Sequence, residues 1–259
     1  MSVAKEQREK LIWEFPNIGK KAPEQEEKAF AYCEGYKEFL NVAKTEREFV
    51  REAVLRLKEA GYEEFEEGKI YQPGDKVYQI NRKKALLMST FGKRPLEDGV
   101  RINVAHIDSP RLDLKPNPLY EQNDLALFKT HYYGGIKKYQ WSAIPLSLHG
   151  RVVKKDGSYV DIVLGEDKDD PQFCVTDLLP HLGGEQMKKP AAKIIEGEDL
   201  NILVGSRPFK SDKGSELVKL NILKLLNEKY GITEYDFLSA ELELVPALKE
   251  KTMRMMMGA

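Results

Sequence analysis

The stretch "NVAHIDSPRLDLKP", residues 103–116, carries an apolar run into His106, places Asp108 two positions on, and then meets Pro110. Residues two apart on an extended backbone share a face, so a carboxylate at 108 can hydrogen-bond the imidazole at 106, fix its tautomer and orient it toward a metal. A histidine at the carboxyl end of a buried strand stands where α/β enzymes bind their ligands. Pro110 lacks a backbone donor, which predicts that the strand ends there and leaves the pair at an opening. Alone, His-x-Asp is a weak signal, because a structural histidine at a strand end is the commoner case. Three other histidines compete with it. His181 in "LLPHLGG" reads from its neighbours as a loop residue, His131 as a structural residue in a strand, and His149, before Gly150, as a solvated turn residue at a hairpin end. Arg111, Asp113 and Lys115 alternate with leucines and read as one solvated strand face; Glu63, Glu64, Glu66 and Glu67 read as a solvated turn.

Elements that could position these residues are written in the periodicity. "PEQEEKAFAYCEGYKEFLNVA" starts at Pro23, has an acidic first turn, and spaces Phe30, Cys33, Tyr36 and Leu40 helically. "TEREFVREAVLRLKEAG" opens on a Thr45 to Glu48 capping box and closes at Gly61, with Phe49, Val50, Val54 and Leu57 as its stripe. The period then shortens: "KVYQI", "KALLMSTFG" and "VRINVAHID" read as strands, the last largely buried. From Leu112 onward, "LALFKTHYYGG", "AIPLSLHGRVVKKDGSYVDIVLG" and "DFLSAELELV" predict an antiparallel sheet or small barrel, interrupted by the helix "SELVKLNILKLLNEKYG" that stops at Gly231. Gly134 and Gly135 lack phosphate-cradle spacing, so a backbone conformational need explains the pair.

Composition limits the partners. The 41 basic and 42 acidic side chains nearly cancel, which argues against nucleic acid or an anionic membrane as the main partner. Cys33 and Cys174 are far apart and lack metal-ligand spacing, pointing to a reducing compartment, with cytoplasm the expected location. "MSVAKEQREK" has no apolar signal core, and no run approaches the roughly 20 apolar residues of a membrane span.

The segment "AHIDSPRLDLKPNPLYEQNDLALFKTHYYGGIKKYQW", continued by "PLSLHGRVV" and "VTDLLPHL" in the same order, resembles the aspartyl aminopeptidase and aminopeptidase 1 family of zinc metallopeptidases. The resemblance implies an α/β fold: an α/β catalytic domain, begun by residues 1–110, interrupted by a β-rich dimerisation domain at 111–246, with an atypical tail at 247–259. It implies removal of N-terminal residues from peptides, two zinc ions per site with Co²⁺ or Mn²⁺ as possible substitutes, and a homodimer or larger homo-oligomer. His106 matches the family's first zinc ligand and Asp108 the catalytic aspartate that orients it. His181 matches a histidine read either as a substrate contact donated across a subunit interface, the favoured role, or as a metal ligand. The family's remaining ligands and its Glu-Glu base are not found after "FLSAELELVPA", so the likeness covers a front half. A non-catalytic dimerisation or assembly module is the competing expectation.

Overall fold

The computed structural model describes residues 3–13, 22–210 and 213–249. Helices α1 (Val3–Leu11) and α2 (Pro23–Val42) belong to one compact unit, and Ala43–Lys249 forms another. Helix α2 begins at Pro23 as expected, with Phe30, Cys33 and Tyr36 exposed along it.

The second unit opens with α3 (Glu46–Glu59), whose first turn is fixed by the expected capping box. Thr45 Oγ1 accepts from the Glu48 amide, and Glu48 Oε2 accepts from the Thr45 amide. Two otherwise unpaired donors are thereby satisfied, and Glu46, Arg47 and Glu48 are held in defined directions. A three-stranded sheet follows: β1 (Glu63–Glu64), β2 (Lys76–Asn81) and β3 (Ala85–Thr90). Glu63 and Glu64 thus leave the expected turn, because their backbone pairs parallel to Val77 and Tyr78.

Seven strands make the larger sheet: β4 (Arg111–Gln122), β5 (Leu125–Tyr133), β6 (Leu146–Val153), β7 (Tyr159–Leu164), β8 (Cys174–Val175), β9 (Ile202–Gly205) and β10 (Ala240–Pro246). Their order is β7-β6-β10-β4-β5-β9-β8, and every ladder within it is antiparallel. The sheet curls far enough for Phe173, beside β8, to exchange two backbone hydrogen bonds with Leu146 of β6. Leu112, Phe128, Leu146, Leu148, Ile162, Ile202 and Leu244 fill its concave face. Helix α4 (Leu217–Tyr230), ended at Gly231, adds Val218 and Leu226 to that core. The fold is mixed α/β, with helices and a small sheet leading into a β-rich body. No helix among the described residues is long and apolar enough to cross a membrane.

One expected strand is absent. Residues 101–110 run without ladder pairing, and Ile102 and Val104 are 74% and 90% exposed. Their apolar alternation suits a strand, but a strand forms only where a neighbour takes up its backbone donors and acceptors, and none does so among the described residues. Pro110 therefore does not end a strand; it stands immediately before one, where its missing donor is tolerated.

Candidate functional site

Register places Tyr133, the last residue of β5, opposite Arg111, the first of β4. The tyrosine therefore lies beside the chain that enters β4 through Pro110. Tyr133 Oη donates to Asp108 Oδ2 at 2.7 Å. The other carboxylate oxygen, Oδ1, meets His106 Nδ1 at 3.1 Å, and the Asp108 carbonyl lies 3.0 Å from the same nitrogen. Two acceptors at Nδ1 require a proton there, which leaves the Nε2 lone pair on a ring that is 84% exposed. The Tyr133 hydrogen bond, aided by His106, holds the Asp108 carboxyl below the usual carboxylate range, and the same bond raises the Tyr133 hydroxyl. Gly134 follows at φ +81°, turned against Pro110, so the backbone need expected of the glycine pair is met at Gly134 and not at Gly135. His106 and Asp108 are thus brought together as their spacing suggested, while Tyr133, 25 positions from Asp108, had no signal in the sequence beyond its place at a strand end.

Arg111 is not on a solvated face. It is buried, and its guanidinium meets Glu46 at 2.8 Å, Asp113 at 2.8 Å and Glu243 at 3.5 Å. The same group lies 4.1 Å from the Tyr133 ring centroid, a cation-π contact under the residue that holds Asp108. Burial works against the Arg111 charge, but the Asp113 hydrogen bond and the fields of Glu243, Asp113 and Glu46 outweigh it and raise its pKa. Alternation along "RLDLK" could not reveal this, because two of the partners come from α3 and β10.

Three carboxylates share one cation, and one of them yields. Burial, opposed by Arg111 and reinforced by Glu46 and Asp113, pushes the Glu243 carboxyl up to about 8. A carboxyl that holds its proton more tightly when folded stabilises the fold below its unfolded value, and that contribution is lost as pH rises toward the folded value. Wild-type stability is expected to decline from about pH 4.5 to about pH 8; by linkage the amplitude is on the order of a few kcal/mol. Glu243→Gln, which imitates the protonated carboxyl, should flatten that slope in urea unfolding at a series of pH values. Parallel profiles for the two proteins would refute the assignment.

The remaining histidines separate. His181 lies in an exposed turn closed by Leu182 and Gly183 amides on the Leu179 carbonyl, and among the described residues it makes no hydrogen bond with His106 or Asp108. His131 is exposed on β5, its ring stacked on Tyr132. His149 corrects its expectation outright: it lies within β6, 3% exposed, with Nδ1 at 2.8 Å from Glu48 Oε1 and Nε2 at 3.0 Å from Glu166 Oε1. Lys44 Nζ completes this buried group at 2.7 Å from Glu166. A His-Gly pair looks like a turn, but here the glycine answers the close approach of β10 instead.

Among the described residues no group of three or more His, Cys, Asp or Glu side chains could hold a metal ion. Zinc takes four ligands as a rule, and one oriented imidazole with its supporting carboxylate supplies a single ligand. The described residues do not by themselves make a zinc site.

Residues 39–256 match the family described as aminopeptidase I zinc metalloprotease (M18). A probable M18 family aminopeptidase 1 from Clostridium acetobutylicum is 52% identical over 246 residues, covering 93% of this chain and 53% of the relative. The crystal structure of an M18 aminopeptidase from Thermotoga maritima superposes with a TM-score of 0.85 at 44% identity, over 93% of this chain and 53% of that one. A structure described as the mApe1 dodecamer of Saccharomyces cerevisiae, at 19% identity and TM-score 0.58 over 84% of this chain and 48% of that one, shares the fold. The chain spans about half the length of the curated relatives it matches.

Proposed function

The chain belongs to the aminopeptidase I zinc metalloprotease (M18) family, and on that premise we propose that it serves a zinc-dependent aminopeptidase that removes N-terminal residues from peptides. The observation that supports this reading is the Tyr133, Asp108, His106 relay. Asp108 is gripped from one side by Tyr133 and from the other holds Nδ1 of His106, so the imidazole presents Nε2 as a ligand. A two-zinc site, or one that accepts Co²⁺ or Mn²⁺, would need more ligands than the described residues gather. When bound, zinc would supply Lewis acidity; what this chain supplies is a ligand of fixed tautomer and direction.

His181 takes the substrate role. Its exposed turn and lack of a bond to His106 suit a side chain offered to a second copy, where it would hydrogen-bond the developing oxyanion of the scissile carbonyl. Metal ligation by His181 is the lesser role. Residues 111–246 then act as the dimerisation domain and 1–110 as part of the catalytic domain, in a homodimer or larger assembly working in the cytoplasm. Of the tail at 247–259, residues 250–259 lie outside the described residues. The competing reading, a non-catalytic assembly module, is favoured by the single imidazole at the site.

Zinc content and aminoacyl-p-nitroanilide release, measured on the native assembly, decide between them. His106→Ala should abolish metal binding at one site. Asp108→Asn should weaken zinc affinity by roughly 10- to 100-fold. His181→Ala should keep its metal and lose about 10²- to 10³-fold in turnover, and mixing it with His106→Ala chains should restore activity if sites are shared between subunits. Wild-type assemblies that carry no zinc and release no nitroaniline would leave the module reading; a mixture without recovery would return His181 to a structural role.

A further inference from the structure

A concavity of about 390 Å³ lies between α3, the β2–β3 turn and the β6–β7 hairpin, within the range of small-molecule sites. Its floor is apolar: Val50 and Ile162 are buried, and Val54 and Ile80 border them. Its rim is basic, with Arg47, Arg51, Lys83 and Arg151.

The carboxylates nearby pair with only part of that rim. Glu241 is taken by Arg47 at 2.7 Å and also by Lys84. Asp161 is held by Arg151 through two hydrogen bonds of 2.6 and 2.8 Å. Glu48 is committed to the α3 cap and to His149. Among the described residues Arg51 and Lys83 form no direct ion pair, and the carboxylate that Arg51 feels, Asp161, is already held by Arg151. Arg51 and Arg47 also contribute, after Arg151, to holding the Asp161 carboxyl low.

The wall is rigid at Arg151. The Arg151 guanidinium is pinned by Asp161 and stacked 3.7 Å from the Tyr159 ring centroid, so little conformational freedom remains to be lost on binding. Lys83 is carried on a hairpin turn whose central residues, Arg82 and Lys83, both have positive φ, 51° and 60°. That turn ordinarily uses Asn-Gly, and two long basic side chains there cost backbone energy. The cost goes with a definite placement: Lys83 Nζ is held 5.3 Å from the same Tyr159 ring.

We propose that this cavity binds a small organic oxyanion, a carboxylate or phosphate monoester carried on an apolar or aromatic body, with the anion between Arg51 and Lys83 and the body on the Val50, Val54, Ile80 and Ile162 floor. Arginine offers a fork that matches either oxyanion, and lysine adds a point charge. Nothing in the aminopeptidase reading requires this cavity, and its ligand need not be a peptide.

The probes are 1-naphthyl phosphate and 1-naphthoate, titrated into the full chain by calorimetry, with inorganic phosphate and 1-naphthol as the separated halves. At least one naphthyl anion should bind saturably with one site per chain, roughly tenfold or more tighter than either half, and the arm that binds names the source of the oxyanion. Arg51→Gln and Lys83→Gln, both at exposed positions, should each weaken it about tenfold, as one lost charged contact predicts. Lys58→Gln, on α3 but outside the cavity lining, should leave it unchanged. The proposal is overturned by absence of saturable binding, by affinity no better than that of the halves, or by equal losses in the Lys58 and Arg51 variants.

Discussion

Arg111→Met is expected to destabilise the unit by roughly 3 to 5 kcal/mol, the cost of removing one partner from a buried ionic group. Methionine fills much of the arginine stem's volume, so the loss isolates the charge from the packing. Glu46, Asp113 and Glu243 would face one another without a cation, and Glu46 and Glu243 each already hold one buried oxygen with no hydrogen-bond partner. The penalty should shrink toward pH 5, because carboxyls that take up protons no longer repel. Adding Glu46→Gln should recover part of it at pH 7, whereas Glu243→Gln, which imitates a carboxyl already largely protonated there, should recover little. A second readout lies at the site: with the guanidinium gone from beneath the Tyr133 ring, the Tyr133 to Asp108 bond loses its support and the His106 tautomer should become mixed by ¹⁵N NMR. Urea unfolding that shows a loss under about 1 kcal/mol at pH 7 would mean the cluster is solvated after all.

Gly150→Ala should do comparable or greater damage for a steric reason. Gly150 pairs with Leu242 in the middle of the β6–β10 ladder, at φ +140°. A Cβ built there would stand 1.9 Å from the Glu241 carbonyl oxygen and 2.9 Å from its carbon. Both are backbone atoms of a central strand, so no side-chain rotation relieves the overlap, and the two strands must part. The ladder that would open joins β7 and β6 to the rest of the sheet and carries Glu241 and Glu243 opposite Arg151 and His149. A loss above about 4 kcal/mol, or failure to accumulate as soluble protein, is the expected outcome. Gly135→Ala is the control, since nothing lies within 4 Å of the Cβ it would add. Equal stability of the two variants would contradict the described strand contact.

Sequence alone determined what is encoded over a few positions. Thr45 and Glu48 write their capping box within one turn, Pro23 opens α2, Gly231 ends α4, and Asp156-Gly157 turns the β6–β7 hairpin, because each acts through backbone geometry close to itself. The His106 and Asp108 spacing belongs to the same class: two positions are enough to bring carboxylate and imidazole together. Tertiary structure decided everything that joins distant positions. The alternation "RLDLK" is equally compatible with water and with burial, and only the meeting of α3 and β10 turns Arg111 inward to Glu46 and Glu243, respectively 65 positions before it and beyond a further five strands. His149 was hidden the same way, its glycine neighbour imitating a turn while Glu48, 101 positions away, supplies its partner. The stretch 101–110 shows the converse: its apolar pattern is that of a strand, yet pairing belongs to neighbours and not to the segment, so the pattern by itself could not make one.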